Sequence, residues 1–491
     1  MNTPLRRVSL AVMVMIVALL ANATYVQWWK ADDLRTDTRN RRVLLDEYAR
    51  QRGQISAQGV VLASSVATED RYKYLRIYPT DPRAYAHVTG YYTMQNGRDG
   101  LENAEDSILS GSDNDLFGRR LVDMISGRDP RGGNVITTLN PAMQKVAYDQ
   151  LTSKGYTGSV VAIEPSTGRI LTMVSTPSYD PNELTVHDGA QVTEKKTELQ
   201  QDDGQPLINR AVSMIYPPGS TFKVVVTAAA LANGLATPSD QLTAASRITL
   251  PDTNTTLENY NGSHCGPGDG ATASLTEAFK YSCNTAFVDL GIKVGAAKLK
   301  DEAAAFGIGD HSGIPLEWGT STVGDIPDKA ALGQSSIGQR DVSITPLDNA
   351  VIAATIANGG VRMQPHLVDQ LQAPDLTTLK NINAMSVGQA VSAQVASQIT
   401  AMMIESEKNT QGGTQPRSYT IASKTGTAEH GDDPRNTPPH AWYIAFAPAQ
   451  NPKIAIAVIV ENGGDRALAA TGGSVAAPVA RAVLDAGLQG G

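Results

Sequence analysis

The first feature of the hydrophobic pattern is an apolar run from Val8 to Val26, interrupted only by Ser9, Asn22 and Thr24. As a helix its residues span roughly 28 Å, about the apolar thickness of a bilayer. Arg6 and Arg7 precede it and Trp28, Trp29 and Lys30 follow. Such flanks suit a span with its arginines in the cytoplasm and its tryptophans at the outer interface. Ala21-Asn22-Ala23 also fits a signal-peptide cleavage site. The apolar stretch runs past it into the aromatic belt, however, which favours an anchor. On either reading the chain from about residue 31 lies outside the cytoplasm. Residues 31–50, dense in Arg, Asp and Glu, read as a solvated helical stalk.

From Gly53 to Ile136 short strand-like pieces such as Val60-Val61-Leu62 lie among Gly, Tyr, Arg and Asp, the texture of a small mixed domain. Arg131-Gly132-Gly133-Asn134 reads as a linker. Beyond it, Val160–Ile163 and Ile170–Val174 flank Pro165-Ser166-Thr167-Gly168 and predict a hairpin. The polar stretch 183–208 predicts a mobile excursion. Residues 220–232 are apolar almost all round and stop at Asn233-Gly234, a helix for the middle of a large domain. A second helix should start at Thr345-Pro346 and stop at Asn358-Gly359-Gly360. Three strands are expected at Thr420–Thr427, Ala441–Phe446 and Ile454–Glu461, the last two antiparallel across Pro448–Lys453, with a covering helix over 474–487. Strands and helices do not alternate strictly, so the fold class is α+β: an antiparallel sheet flanked by helices, with a smaller mixed domain before it.

A chain of 491 residues is too long for one compact core, in keeping with more than one domain. A net charge of −8 without a basic stripe argues against nucleic acid as a partner. Cys265 and Cys283 fit no zinc spacing and His-Glu-x-x-His is absent, so no metal or other cofactor is expected. The compartment permits a disulfide between the two cysteines, but the spacing alone favours a buried small thiol at Cys283.

Three short patterns carry chemistry. In Pro217-Pro218-Gly219-Ser220-Thr221-Phe222-Lys223 a helix begins at the serine, where free N–H groups and the dipole stabilise negative charge. Lys223, one turn on, returns its amine to the same face. Buried among apolar side chains, that amine would have a lowered pKa and could act as a base. Taken alone, Ser-x-x-Lys is more often a capping serine and a solvated lysine. Second, Ser274-Leu275-Thr276-Glu277 is a capping box whose helix should end near Tyr281, leaving Ser282-Cys283-Asn284 in a turn. Such a serine and asparagine are usually only turn residues. Third, Lys424-Thr425-Gly426-Thr427 puts a glycine inside a strand, often a place where a backbone or ligand comes close. An extended substrate could add to this strand, its carboxylate held by Lys424 and the threonines. The alternative is an edge strand protected by a lysine.

Together and in this order, Ser220-x-x-Lys223, Ser282-x-Asn284 and Lys424-Thr425-Gly426 match the trio of β-lactamases and penicillin-binding proteins. The chain resembles a class B penicillin-binding protein, a peptidoglycan D,D-transpeptidase without a glycosyltransferase domain, most of all the actinobacterial and mycobacterial penicillin-binding protein A group. The resemblance also runs through Gly97–Glu102, Thr138–Gln144, Gly158–Pro181, Asn209-Arg210-Ala211, Gly338-Gln339, Thr345-Pro346 and Lys424–Glu429. Arg52-Gly53-Gln54-Ile55 opens like the family's early motif, but the segment after it is shorter.

The resemblance implies a cytoplasmic tip and anchor at 1–30, a non-catalytic pedestal or interaction domain at 31–136 and a transpeptidase domain at 137–491. It implies that Ser220 attacks the D-Ala-D-Ala carbonyl of a stem peptide, Lys223 takes the serine proton, Ser282 passes a proton to the leaving amine and Asn284 orients Lys223 and the substrate amide. Lys424, Thr425, Gly426 and Thr427 would form the carboxylate site, and the backbone N–H groups of Ser220 and Thr427 the oxyanion hole. Implied partners are the D-Ala-D-Ala donor, an amine acceptor, β-lactams, the membrane, and a glycosyltransferase within a division or elongation complex. A single-pass membrane protein with an extracytoplasmic catalytic domain follows.

Rival functions fit less well. A β-lactamase needs a glutamate for rapid deacylation, and no motif supplies one. A D,D-carboxypeptidase differs only by the N-terminal domain, and a non-catalytic β-lactam sensor would need several spans and a metalloprotease motif. The polar, turn-rich loop Glu429–His440 is expected to be mobile and to shape the carboxylate end of the cleft.

Overall fold

The computed structural model describes residues 3–30, 34, 49–70, 72–93, 97–116, 118, 131–268, 270–310, 313–434 and 436–489. The stalk expected at 31–50 lies almost wholly outside them. Thr3–Trp29 is a continuous helical segment of 27 residues with none of its apolar surface buried, long and apolar enough to cross a membrane.

A five-stranded antiparallel sheet organises the larger part of the chain, in the order Ala422–Ala428, His440–Ala447, Ile454–Val460, Gly158–Ile163, Ile170–Thr176. Alternation sends Ile444 and Phe446 to one core and Tyr443, Ala445 and Ala447 to the other. Every residue of His440–Ala447 and Ile454–Val460 is buried. Both faces of the sheet are therefore covered, which is why these strands read as near-continuous apolar runs rather than alternating ones. Pro141–Thr152 and Ala477–Gln489 cover one face. The other face carries Pro346–Ala357, behind which lie Lys223–Ala232, Asn284–Val294 and Ala393–Asn409.

The expected caps are present. Thr345 accepts from the Asp348 N–H ahead of Pro346, and the helix stops at Asn358, followed by Gly359 and Gly360 with positive φ. Ser274 and Glu277 close the capping box of Leu275–Lys280.

A second, mixed sheet of six strands has the order Thr378–Asn381, Val368–Gln372, Asn134–Thr137, Ile55–Ala57, Val60–Ala67, Tyr74–Ile77. Ile55–Ala57 runs parallel to Asn134–Thr137 and the other pairings are antiparallel. Two of its strands therefore come from the C-terminal half of the chain. Beside it the two early motifs meet: Glu102, fully buried, takes Arg52 on one carboxylate oxygen and Arg76 on the other, each at 2.6 Å.

Two expectations need correction. Arg131–Asn134 is not a loose linker: Gly132 and Gly133 are buried and donate to the Gln51 and Ile108 carbonyls at 2.9 and 2.8 Å. A Cβ on Gly53 would lie 1.7 Å from the Gly133 oxygen, and one on Gly132 1.8 Å from the Leu109 oxygen, so glycine permits the crossing. The stretch 183–208 is not a structureless excursion either. It contains a helix, Gly189–Gln201, capped by Asp188 and pinned by buried Val192 and Leu199. Leu199 joins Tyr91, Tyr179 and Leu184 in a satellite core. Two apolar positions seven residues apart are too sparse a stripe to stand out in a polar sequence.

Candidate active site

The helix that carries Ser220 and Lys223 starts under tight constraint. Gly219 (φ +54°) donates to the Gly338 carbonyl at 2.9 Å, and a Cβ on Gly338 would lie 2.0 Å from the Gly219 oxygen. Pro217 accepts from the Trp442 indole at 3.0 Å, and Thr221 donates to Pro218 at 2.9 Å. Gly219–Phe222 forms a 3-10 turn that runs directly into the helix Lys223–Ala232. This turn puts Ser220, half-buried, at the helix start and Lys223, fully buried, at its base. Among the described residues Ser220 Oγ has no hydrogen-bond partner.

The Lys223 amine donates to the Ser282 carbonyl at 2.7 Å, to Asn284 Oδ1 at 2.8 Å and, more loosely, to Ser282 Oγ at 3.4 Å. The Phe287 ring centroid is 5.3 Å away. Burial first and the neighbouring Lys424 second hold this amine well below the ordinary lysine range. Lys424 is also fully buried, and donates to Ser282 Oγ at 2.8 Å and to the Thr425 carbonyl at 3.1 Å. Burial lowers it to about 7.

Ser282 has φ +58°, the left-handed region that costs an L-residue roughly 1–2 kcal/mol. Its turn is held by Ser282 N–H to Phe279 and Cys283 N–H to Ala278 at 3.1 and 2.9 Å. Asn284 opens the next helix and donates to the Glu258 carbonyl at 3.0 Å. Cys283 is disulfide-bonded to Cys265, which corrects the expectation of a buried thiol. Asn259, in the same loop as Cys265, accepts from the Thr285 N–H at 3.0 Å. The loop is thus tied to the turn by covalent and hydrogen bonds alike.

The third motif lies on the edge strand Ala422–Ala428, which pairs only with His440–Ala447 among the described residues. A Cβ on Gly426 would meet the Pro218 oxygen at 2.8 Å, Thr221 Cγ2 at 3.0 Å and Trp442 Cβ at 3.1 Å. The bare glycine lets this strand lie against the turn that carries Ser220. Thr425 and Thr427 are half-exposed while Lys424 and Gly426 are buried. Beyond the strand, the loop to His440 is closed at its neck: His430 donates to the Pro438 carbonyl at 2.9 Å and stacks on His440 with centroids 3.7 Å apart. Burial and then His430 hold His440 at about 3, so its ring in this stack is neutral near neutral pH. Gln339, oriented to satisfy both groups, bridges the Glu429 N–H and carbonyl at 3.1 and 3.2 Å.

Ser282, Asn284, Lys223 and Lys424 thus form one hydrogen-bonded cluster, with Ser220 one helical turn from Lys223 and Thr425–Thr427 along the adjoining edge. An alcohol, an amine of lowered pKa and an extended strand edge are the equipment of acyl transfer to serine from a peptide-like donor. Motif reading missed Glu407, which binds Ser423 behind the Lys424 strand, and the Phe279 and Phe287 rings that desolvate the two lysines. A lone Glu in a helix and two core-like aromatics offer no pattern by which to find them.

Residues 158–485 match the penicillin binding protein transpeptidase domain, and residues 52–135 match the penicillin binding protein A dimerisation domain. The chain is 58% identical to the peptidoglycan D,D-transpeptidase PbpA of Mycolicibacterium smegmatis and 57% identical to that of Mycobacterium tuberculosis, with 100% of both chains covered in each case. The structure of penicillin-binding protein A from M. tuberculosis as a ceftriaxone acyl-enzyme complex is similar at a TM-score of 0.87 and 56% identity, over 91% of this chain and 100% of that one. The penicillin G acyl-enzyme complex gives 0.85 and 56%, over 90% and 100%. With its three motifs gathered around Ser282 and both family models matched, the chain belongs to the penicillin-binding protein transpeptidases.

Proposed function

We propose that this chain is a peptidoglycan D,D-transpeptidase that works through an acyl-enzyme on Ser220. The observation that carries the reading is the meeting of two buried lysines at Ser282, in a chain 58% identical end to end to a protein named for that activity. Ser220 Oγ attacks the carbonyl carbon of the penultimate D-Ala while the Lys223 amine takes the hydroxyl proton. The backbone N–H groups of Ser220 and Thr427 hold the oxyanion; losing one such donor generally costs roughly 3–4 kcal/mol. The C–N bond breaks, and the leaving D-Ala amine receives a proton through Ser282. The amine of a second stem peptide then attacks the ester, its proton passes to Lys223, and Ser220 regains its hydroxyl. Lys424, Thr425 and Thr427, with Gly426 opening the approach, hold the terminal carboxylate. A β-lactam acylates the same serine, but its leaving amine stays tethered.

The helix Thr3–Trp29 supports a single-pass anchor with the catalytic domain (137–491) outside the cytoplasm. The match of 52–135 to a dimerisation domain supports an interaction role for 31–136, toward a glycosyltransferase or another partner of division or elongation. The test supplies a stem-peptide donor ending in D-Ala-D-Ala together with an amine acceptor. Release of D-Ala matched by cross-linked product is expected. Release matched only by the hydrolysed donor would make the enzyme a carboxypeptidase.

A further inference from the structure

Behind the strand that carries Lys424, on the side away from the cleft, four elements meet at one carboxylate. Glu407, on the helix Ala393–Asn409, is 4% exposed, and Arg481, on the C-terminal helix, is also 4% exposed. Arg481 approaches Glu407 Oε1 through Nε at 2.9 Å and Nη2 at 2.8 Å, and donates from Nη1 to the Gln411 carbonyl at 2.7 Å. The other oxygen, Oε2, accepts from Ser423 at 2.5 Å and from Tyr443 at 2.7 Å. No other titratable group bonds to this carboxylate among the described residues.

A buried pair of this kind adds little net stability compared with an apolar replacement, so fold stability alone is a weak account of it. Its position is more informative. Ser423 immediately precedes Lys424, and side chains alternate along a strand. The bond to Glu407 therefore pulls Ser423 to the back of the sheet while Lys424 points forward to Ser282. The edge strand is held on one side by seven paired residues of the strand His440–Ala447, and the Ser423–Glu407 bond is the side-chain tie next to Lys424 on the face away from the cleft. We propose that Glu407 is a positioning residue for acylation: by binding Ser423 it fixes the strand so that the Lys424 amine stays on Ser282. The proposal rests on the transpeptidase reading above.

Tyr443 supplies an internal control. Its hydroxyl gives the same Oε2 a bond of similar length, but from the neighbouring, fully paired strand. If Glu407 served only to hold elements together, Ser423→Ala and Tyr443→Phe would be equivalent. Under the proposal only Ser423→Ala loosens Lys424. The groups facing the Lys424 amine are Ser282 from the turn, Lys223 from the nucleophile helix and the Phe279 ring from the helix Leu275–Lys280. A loosened Lys424 gains water, and its titration moves up toward the ordinary lysine range.

The experiment is acylation by a fluorescent penicillin across pH 5–10 for the whole chain in detergent, with melting temperatures of the same samples. Ser423→Ala is expected to slow acylation between about tenfold and a hundredfold and to move the alkaline limb of the profile upward by about one pH unit. Tyr443→Phe is expected to keep both rate and limb, with a similar loss of melting temperature. Glu407→Gln should reproduce the Ser423→Ala profile; if it fails to fold, the two single-hydroxyl variants decide the matter. Parallel effects of these two variants, or an unmoved limb in Ser423→Ala, overturn the proposal. A wild-type protein that penicillin does not acylate would instead overturn the transpeptidase reading beneath it.

Discussion

Lys223 and Lys424, from the first and last of the three motifs, reach the same oxygen: Ser282 Oγ is 3.4 Å from one amine and 2.8 Å from the other. Two like charges cannot both be kept at such a distance in a dry site at little cost. Burial lowers both amines, and Lys223 is lowered further by Lys424. The pair therefore shares its protons, and Lys223, lowered by burial and by Lys424 together, gives up its proton the more readily of the two.

This pairing fixes the pH dependence. The base must be unprotonated, so acylation rises with pH through the lowered pKa of Lys223. Lys424 must be protonated to hold a carboxylate, so acylation falls as its proton leaves, near 7 in the free enzyme. A bell-shaped profile of the second-order acylation constant is expected, with its alkaline limb well below the ordinary lysine range. Lys223→Arg keeps the charge but cannot lose it, and should slow acylation on the order of a hundredfold or more. A profile flat from pH 6 to 10 would contradict this assignment.

Gly426 is the contact between the Lys424 strand and the start of the Ser220 helix. In Gly426→Ala the new methyl meets Pro218, Thr221 and Trp442 together, two of them through rigid groups. Overpacking of this kind costs about 1–3 kcal/mol of stability and pushes the strand away from Ser220. Acylation should fall on the order of a hundredfold while the protein remains folded. Acylation at the wild-type rate would show that the close approach is not used.

The Cys265–Cys283 bridge closes a sequence separation of 18 residues. A closed loop of this size stabilises a fold by about 3 kcal/mol. Cys265→Ser should lower stability in chemical denaturation by about 2–4 kcal/mol and release the loop whose Glu258 carbonyl holds Asn284. Two reactive thiols in the denatured, unreduced wild-type protein would contradict the bridge.

The loop Glu429–His440 is closed at its neck by the stacked pair His430 and His440. Shortening it between Gly431 and Pro438 should slow acylation by a stem-peptide mimic more than acylation by penicillin, because the loop directly continues the strand that carries Lys424 and Thr427. Unchanged rates with both acylating agents would make the loop a spectator.

Much of this was legible in the chain, for identifiable reasons. Ser220, Lys223, Ser282, Asn284 and Lys424 could be named because together they match a family's three motifs, and the fold brings the three motifs to one place. The strands His440–Ala447 and Ile454–Val460 announced themselves through unbroken apolar runs, and the helix Pro346–Ala357 through its cap and terminal glycines. Features that depend on partners distant in sequence were not legible. Gly132 and Gly133 look like linker residues until Gly53 and Leu109 are placed against them. Glu407 looks like any helical glutamate until Ser423, Tyr443 and Arg481 converge on it. The helix Gly189–Gln201 is pinned by only two buried apolar side chains.

The most direct test of the account is intact-mass and peptide mass spectrometry after incubation with penicillin, for the wild type and for Ser220→Ala. The expected result is one penicillin mass added to the wild type, located on Ser220 and persisting far longer than a lactamase turnover. Ser220→Ala should add nothing, although its stability changes by no more than about 1 kcal/mol. An adduct on Ser220→Ala, an adduct located on Ser282 instead, or hydrolysed penicillin without a lasting adduct on the wild type would contradict the account.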